Sequence, residues 1–421
     1  MQSTPADHEA TTAPAAEMQV STTATLPRHI PAALGFLCGC IALLMTGYGI
    51  IIPVFPQRLQ ALGLGAQTLA LMEGAFALGM LLFSTPMGTL ADRIGRKPLV
   101  LVSLAGFIVT NLVLATVNIP LVFILIRFVE GVSISGLMPA SMAMVGDSIP
   151  TEKQGRWIGM ITTAQAAGVA LGPGIGGFLY QAWGASYPFL ISAGIALTAS
   201  LLALFVLPET LSEQVREKAR LQKVKRQPDT QSNDASSIPR LLWFFVPLLL
   251  IDCGLTFIYP FVLPQYPFFF EKVLKYGTAQ YGVIVSMYSL SLAVFPLLLS
   301  RLGEVLSKKL LIILGSFLSS GMNMGMLFLH QYPLLLAAAI VTGMGSALFL
   351  PALGAVYLAA TTEQNRSQVM GIRASAISLG ALLGPLTQAL VGPWIRSQMT
   401  FAVGVALSFV MTFLAVVVLK R

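Results

Sequence analysis

Twelve times along this chain an apolar run of about twenty residues begins, near residues 31, 69, 98, 120, 157, 187, 241, 279, 310, 333, 367 and 400. A helix needs that length to cross the hydrocarbon core of a bilayer, where no water is available to backbone N–H and C=O groups. Charged residues make up only 10% of the 421, against about 25% in soluble domains. The pattern predicts an all-α membrane protein of twelve transmembrane helices. Some runs are joined by very short turns, such as VNIP at 117–120 and HQYP at 330–333. Such turns make consecutive helices antiparallel neighbours. The short alternating strands of a membrane barrel are absent from the sequence.

The net charge of +8 is unevenly placed. With the N-terminus taken as cytoplasmic, Arg58, Lys272, Lys275 and Arg396 fall outside and Arg127 falls within the membrane. The other 20 of the 25 Lys and Arg fall on the cytoplasmic side or at cytoplasmic helix ends. That is the positive-inside bias, and it predicts two cytoplasmic termini. It also gives the basic balance a topological cause in place of nucleic acid binding. Residues 1–29, rich in Ala, Thr and Pro, read as a disordered cytoplasmic tail. No cleavable signal peptide is visible. Cys38, Cys40 and Cys253 lie in apolar runs and fit neither a metal spacing nor a disulfide framework.

Residues 209–240 form the one long polar stretch after the tail. They read as a cytoplasmic linker, with room for one amphipathic helix. Six runs precede it (30–208) and six follow it (241–421). The two halves repeat. At an offset of 212, Gly131, Pro139, Ala140, Gly159, Gly168, Gly172 and Pro173 become Gly343, Pro351, Ala352, Gly371, Gly380, Gly384 and Pro385. Asp92, Arg96 and Lys97 become Glu304, Lys308 and Lys309, and at an offset of 211 Tyr48, Pro53 and Pro56 become Tyr259, Pro264 and Pro267. Copies with an even number of helices share one topology. They are expected as two six-helix bundles related by a pseudo-twofold axis along the membrane normal, with a site between them near the midplane.

The stretch GTLADRIGRKP (88–98) joins the second and third runs. Gly88, Leu90, Asp92, Arg93, Gly95, Arg96 and Lys97 together resemble the signature loop of the major facilitator superfamily. Gly88 permits close approach of helices and Gly95 a tight turn, while Asp92 can pair with Arg96. The resemblance implies a latch between the bundles in one transport state, with Asp147 as a further partner. A second motif, GMITTAQAAGVALGPGIGG (159–177), puts Gly168, Gly172 and Gly176 on one helix face, where small residues let backbones touch. Pro173 removes a hydrogen bond and bends the helix. Gly159, Gly168, Gly172, Pro173, Gly176 and Gly177 resemble the fifth-helix signature that goes with proton-driven exporters in that superfamily. They are expected to form a packed, bent seam between the halves, matched by Gly371, Gly380, Gly384 and Pro385. Gln388 and Ala389 replace the final Gly-Gly pair in the second copy, which predicts an asymmetric seam.

Charges inside a membrane are costly and mark function. In FILIRFVEGVSISG, Arg127 and Glu130 are three apart and share a helix face. Arg127 and Gly131 match the superfamily's fourth-helix motif, in which the Arg is linked to proton transfer; the family often has Gln where this chain has Glu130. Asp252, in PLLLIDCGLTF, lies mid-run. It can take a proton from one side and release it on the other, or hold a cationic substrate. A static Arg127–Glu130 pair and a structurally satisfied Asp252 are the plainer readings. Glu73 lies near the start of the second run and either joins proton coupling or complements a helix N-terminus. Arg373 either snorkels to the cytoplasm or pairs with an acid. The first run holds no acid between Ile30 and Pro56, although many multidrug exporters of this type carry one there. The expected coupling residues are therefore Asp252 and Glu130, with Arg127 and Glu73. By resemblance the first, seventh and tenth helices line the cavity, which points to Tyr48, Phe257, Tyr259, Phe349 and Tyr357. Rings and methionines with one or two acids suit lipophilic cations.

The resemblance implies a proton-coupled antiporter of drugs or small lipophilic cations, working by alternating access; short loops and the lack of cell-sorting signals point to a bacterial inner membrane, and a monomer is expected. Exporters of one endogenous metabolite or metallophore share fold and motif, and uptake symporters share the fold. No nucleotide-binding loop is present, so the proton gradient rather than ATP is the expected energy source. No nucleophile, base and orienting residue stand together as in an enzyme. The partners expected are a small-molecule substrate, protons and the lipid bilayer, with no cofactor, no metal and no nucleic acid.

Overall fold

The computed structural model describes residues 29–210, 237–298, 306–361 and 366–419. Twelve helices in it are long and apolar enough to span a membrane, and they follow the twelve runs of the sequence. They are α1 Pro31–Ala61, α2 Ala66–Ile94, α3 Arg96–Thr116, α4 Pro120–Ser148, α5 Lys153–Trp183 and α6 Ser186–Val206 in the first half. The second half has α7 Phe245–Lys272, α8 Thr278–Pro296, α9 Lys308–Phe328, α10 Tyr332–Ala359, α11 Val369–Trp394 and α12 Ser397–Val418. The expected tail up to residue 28, any helix in 211–236, and Glu304 lie outside the described residues.

Several spans are interrupted. Pro53 parts α1 into His29–Ile51 and Val54–Ala61. α4 breaks at Gly136 into Pro120–Ile134 and Leu137–Ser148. α7 passes through the 3-10 turn Leu263–Gln265 at Pro264.

Lipid tails are as apolar as the helices, so association rests on close backbone packing. A Cβ on Gly168 would lie 2.5 Å from the Ala42 carbonyl oxygen, one on Gly172 2.5 Å from that of Thr46, and one on Gly176 within 1.9 Å of that of Ile50. α5 thus lies backbone against backbone on α1. The second half repeats this: a Cβ on Gly380 would lie 2.5 Å from the Cys253 oxygen, and one on Gly384 2.7 Å from the Phe257 oxygen. Cys253 and Phe257 stand at an offset of 211 from Ala42 and Thr46, so the repeat extends to contact partners as well as motif residues.

This changes where the seam runs. The four-residue spacing identified one face of α5 but not its neighbour, and that neighbour is α1 of the same half. The contact between halves uses the next face. A Cβ on Gly177 would lie 2.6 Å from the Thr278 oxygen, and one on Gly282 2.3 Å from the Pro173 oxygen. Beside Pro173, the Gly174 N–H donates to Ser286 Oγ at 2.9 Å. The α2–α11 contact differs, because Gly74 there faces the Leu386 side chain, with its Cβ position 2.8 Å from Cδ2. Gly159 and Gly371 meet nothing within 4 Å and take no part in packing.

Among the described residues, the close approaches between the halves lie toward one end of the helices. No residue is buried over 80–90 of α2, 153–160 of α5 or 371–379 of α11, whereas each helix has buried residues beyond its middle. These bare segments adjoin the face that carries the 88–98 loop, here termed the basic face. Among the described residues the halves are closed on the opposite face and splayed on the basic one.

Gly176→Leu would drive a side chain into the Ile50 carbonyl. Overpacking of this kind costs about 1–3 kcal/mol, so its thermal unfolding midpoint in detergent is expected to fall by several degrees. Gly159→Leu faces open space and is expected to melt with the wild type.

Candidate functional site

Close contact between α2 and α4 builds the central ion cluster. A Cβ on Gly131 would lie 2.2 Å from the Phe76 carbonyl oxygen. Held this near, α2 presents Glu73 to Arg127 on α4. Arg127 Nη2 donates to both Glu73 carboxylate oxygens, at 3.1 and 3.2 Å, and Nη1 donates to Glu130 Oε2 at 2.9 Å. Glu73 lies in the third turn of α2, with no role at the helix N-terminus. Arg127 and Glu130 are buried, while Glu73 keeps part of its surface open. The guanidinium sits among three rings, with its carbon 4.3 Å from the Phe76 centroid, 5.3 Å from Phe55 and 5.9 Å from Tyr48. Arg127 Nε and Glu130 Oε1 are buried with no hydrogen-bond partner among the described residues. Two acids share one arginine, so with both acids ionised the cluster carries one net negative charge.

Glu73 opens onto a cavity of about 410 Å³ between the halves. Tyr48, Ile52, Thr162, Gln165 and Val169 line it from the first half, and Tyr259, Val285, Tyr288, Ser289 and Leu292 from the second. Among the described residues, Glu73 is the one carboxylate in its wall. The cavity stands midway along the helices, where the repeat predicts a site.

Asp252 is placed differently. It is buried in α7, and Arg373 Nε and Nη2 of α11 donate to its carboxylate at 2.9 and 3.4 Å. Tyr357 lies beneath that arginine, with its ring centroid 5.1 Å from the guanidinium carbon. This pair lies inside the second half and outside the central cavity's lining. Of the aromatics named from sequence, Tyr48 and Tyr259 line the central cavity. Phe349 faces a smaller cavity inside the second half. Phe257 stacks on Phe261, and Tyr357 lies between Phe245 and Arg373, so neither lines these two cavities.

At the basic face, Arg96 contacts Asp92, and its Nε donates to Asp147 at 3.2 Å. Glu209 completes the cluster: its carboxylate accepts from the backbone N–H of Arg96 at 3.0 Å and of Lys97 at 3.2 Å, closing the start of α3. Gly95 turns with φ +115°, and a Cβ there would lie 2.3 Å from Glu209 Oε2. Lys97 Nζ donates to the Leu204 oxygen at 2.7 Å. These partners all belong to the first half. Gly88 is not a point of close approach, since its nearest neighbour, Pro139, stands 4.0 Å from the Cβ position.

Two functional-looking charges were missed by sequence reasoning. Glu209 is separated from Arg96 by 113 positions and carries no local signal. Arg58, assigned to an outer loop, is buried at the end of α3, where it donates to the Leu114 and Val117 oxygens and to Asn118 Oδ1. It satisfies the unpaired carbonyls of a helix C-terminus.

The family model described as Major Facilitator Superfamily matches residues 37–280 and 261–421. The chain belongs to the Major Facilitator Superfamily. It is accordingly a multi-pass membrane transporter acting on small molecules. Multidrug resistance protein 2 of Bacillus subtilis (strain 168) is 28% identical over 348 residues, which are 80% of this chain and 83% of that protein. Quinolone resistance protein NorA of Staphylococcus aureus (strain COL) is 25% identical over 377 residues, 89% of this chain and 94% of NorA. Among solved structures, the human organic anion transporter MFSD10 (TETRAN) shares the fold with a TM-score of 0.63 and 21% identity, over 92% of this chain and 100% of that one.

Removing one partner of a buried ion pair costs about 3–5 kcal/mol, whereas replacing both with apolar residues is often neutral. Asp252→Leu and Arg373→Leu are each expected to lower the melting midpoint sharply, and the double variant to recover most of the loss. A double variant as unstable as either single one would show that the pair's geometry matters beyond charge balance.

Proposed function

We propose that this chain is a proton-coupled exporter of small lipophilic compounds bearing a positive charge. The observation that carries this reading is the cavity between the halves, walled by tyrosines and aliphatic side chains, into which Glu73 projects from the Arg127–Glu130 cluster. The printed names of the two bacterial relatives, a multidrug and a quinolone resistance protein, agree with export of foreign compounds.

In this reading the basic face is cytoplasmic, in accord with the positive-inside bias, in a bacterial inner membrane. The splayed state then receives substrate from the cytoplasm. A cation entering the cavity pairs with Glu73, and Arg127 keeps Glu130 as its partner. The bundles rock, the cavity opens outward, and a proton from outside neutralises the cluster's excess charge. Substrate, having lost its counter-charge, leaves. The protonated cluster returns and releases the proton inside. Glu73 and Glu130 therefore carry the coupling, while Asp252 holds Arg373 in the second half. The Asp92–Arg96–Asp147 cluster with Glu209 is the conformational latch: it sets the pose of the 88–98 loop that must meet the other half when the basic face closes.

The test uses purified protein in liposomes with an imposed pH gradient and a dye that reports internal pH. Several unrelated lipophilic cations are expected each to drive counter-directed proton flux. Glu130→Gln is expected to lower that flux at least tenfold, roughly the loss of one required proton site, with substrate binding retained. Glu73→Gln is expected to weaken cation binding itself. Flux driven by a single metabolite, or protons moving along with substrate, would replace this reading with specific export or uptake symport.

A further inference from the structure

The second half contains a cavity of about 60 Å³, set among α7, α8, α9 and α10. Tyr259, Tyr266 and Tyr288 line it, and no charged side chain does. Protein interiors are close-packed, so a void of this size needs a cause.

The internal repeat supplies the cause. At the offsets of 211 and 212, Tyr48, Phe55 and Phe76 of the first half correspond to Tyr259, Tyr266 and Tyr288. The geometry repeats with the sequence. Tyr48 stacks on Phe76 with centroids 5.7 Å apart, and Tyr259 stacks on Tyr288 at 5.3 Å. In the first half those three rings surround the guanidinium of Arg127. The residue corresponding to Arg127 is Ala339, which lines the void. Those corresponding to Glu73 and Glu130 are Val285 and Thr342, which line it too. The second half has the aromatic cage without the arginine that fills its counterpart.

We propose that this cage receives a small planar cationic group of the substrate, such as a guanidinium or amidinium, in the place where the first half holds its own arginine. The inference rests on the export reading and narrows its substrate class. Aromatic faces attract cations, most strongly where water is excluded. Tyr259 and Tyr288 line both cavities, so the cage opens off the central cavity behind their stacked rings. At its polar end stand the Thr342 hydroxyl, which accepts from the Met322 N–H and donates to the Ala338 oxygen, and Asn323 Oδ1, which accepts from the Tyr266 hydroxyl; each oxygen keeps one lone pair for a further donor. The substrate body would then lie in the central cavity facing Glu73, with its planar head in the cage.

Binding of three naphthyl probes to the purified full chain, read by calorimetry, tests this. One carries a guanidinium, one a neutral urea of the same shape, and one a trimethylammonium too bulky to lie flat against a ring. Wild type is expected to prefer guanidinium over urea by about tenfold or more, the worth of one desolvated cation–π contact. Ala339→Met, which fills the void without charge, is expected to bring that ratio within about twofold while trimethylammonium binding stays. Tyr288→Phe should keep the preference and Tyr288→Leu lose it, a pair that needs no large residue in the core. A preference that survives Ala339→Met and Tyr288→Leu but disappears in Glu73→Gln would assign recognition to the central acid and overturn the cage. So would equal binding of guanidinium and urea by wild type. Failure of the export reading would show separately, as bound probes that drive no counter-directed proton flux.

Discussion

Backbone touching backbone is the contact on which this molecule depends. In a bilayer no expulsion of water drives helices together, so the helices must gain their attraction from contact distance. Gly168, Gly172 and Gly176 remove every atom between α5 and the carbonyls of α1, and Gly380 and Gly384 do the same between α11 and α7. Gly131 brings α4 onto α2 in the same manner, and only at that distance can Arg127 reach Glu73. The ion cluster is thus a result of helix packing before it is a matter of charge. A side chain at Gly131 would part the helices that bring its members together.

The two halves share a scaffold and have divided the chemistry. Where the first half holds an arginine between two acids, the second has Ala339, Val285 and Thr342. Where the second holds Asp252 against Arg373, the first has Ile41 and Ile161, at offsets of 211 and 212. One ionic site has an excess acid and faces the cavity; the other is balanced and closed. Interconversion of inward and outward states requires the halves to move as units. Charge that is neutralised within a half moves with it at little electrostatic cost, whereas an excess charge at the cavity wall responds to what the cavity contains.

Much of this was legible in the sequence. Length and spacing of apolar runs fixed twelve spans, and the repeat fixed the two-bundle plan because matched glycines and prolines keep register over long distances. The pairing of Arg127 with Glu130 followed from their spacing on one helix. What escaped was the choice of partner across helices. Spacing placed Gly168, Gly172 and Gly176 on one face without saying that α1 would cover it. Asp252 and Arg373 each had a pairing among their readings, but 121 positions separate them and nothing local joined the two. Arg58 looked like a loop charge because the carbonyls it covers belong to another helix. Periodicity describes a helix to itself; neighbours enter only with the fold.

Glu209 has a consequence for the order of assembly. Its carboxylate closes the start of α3, yet 113 positions separate it from Arg96. During synthesis the second and third helices emerge long before it. The N–H groups of Arg96 and Lys97 must wait, served by water at the membrane surface, until six helices have been translated. The turn between α2 and α3 can therefore gain this carboxylate only once the sixth helix of its half has been made.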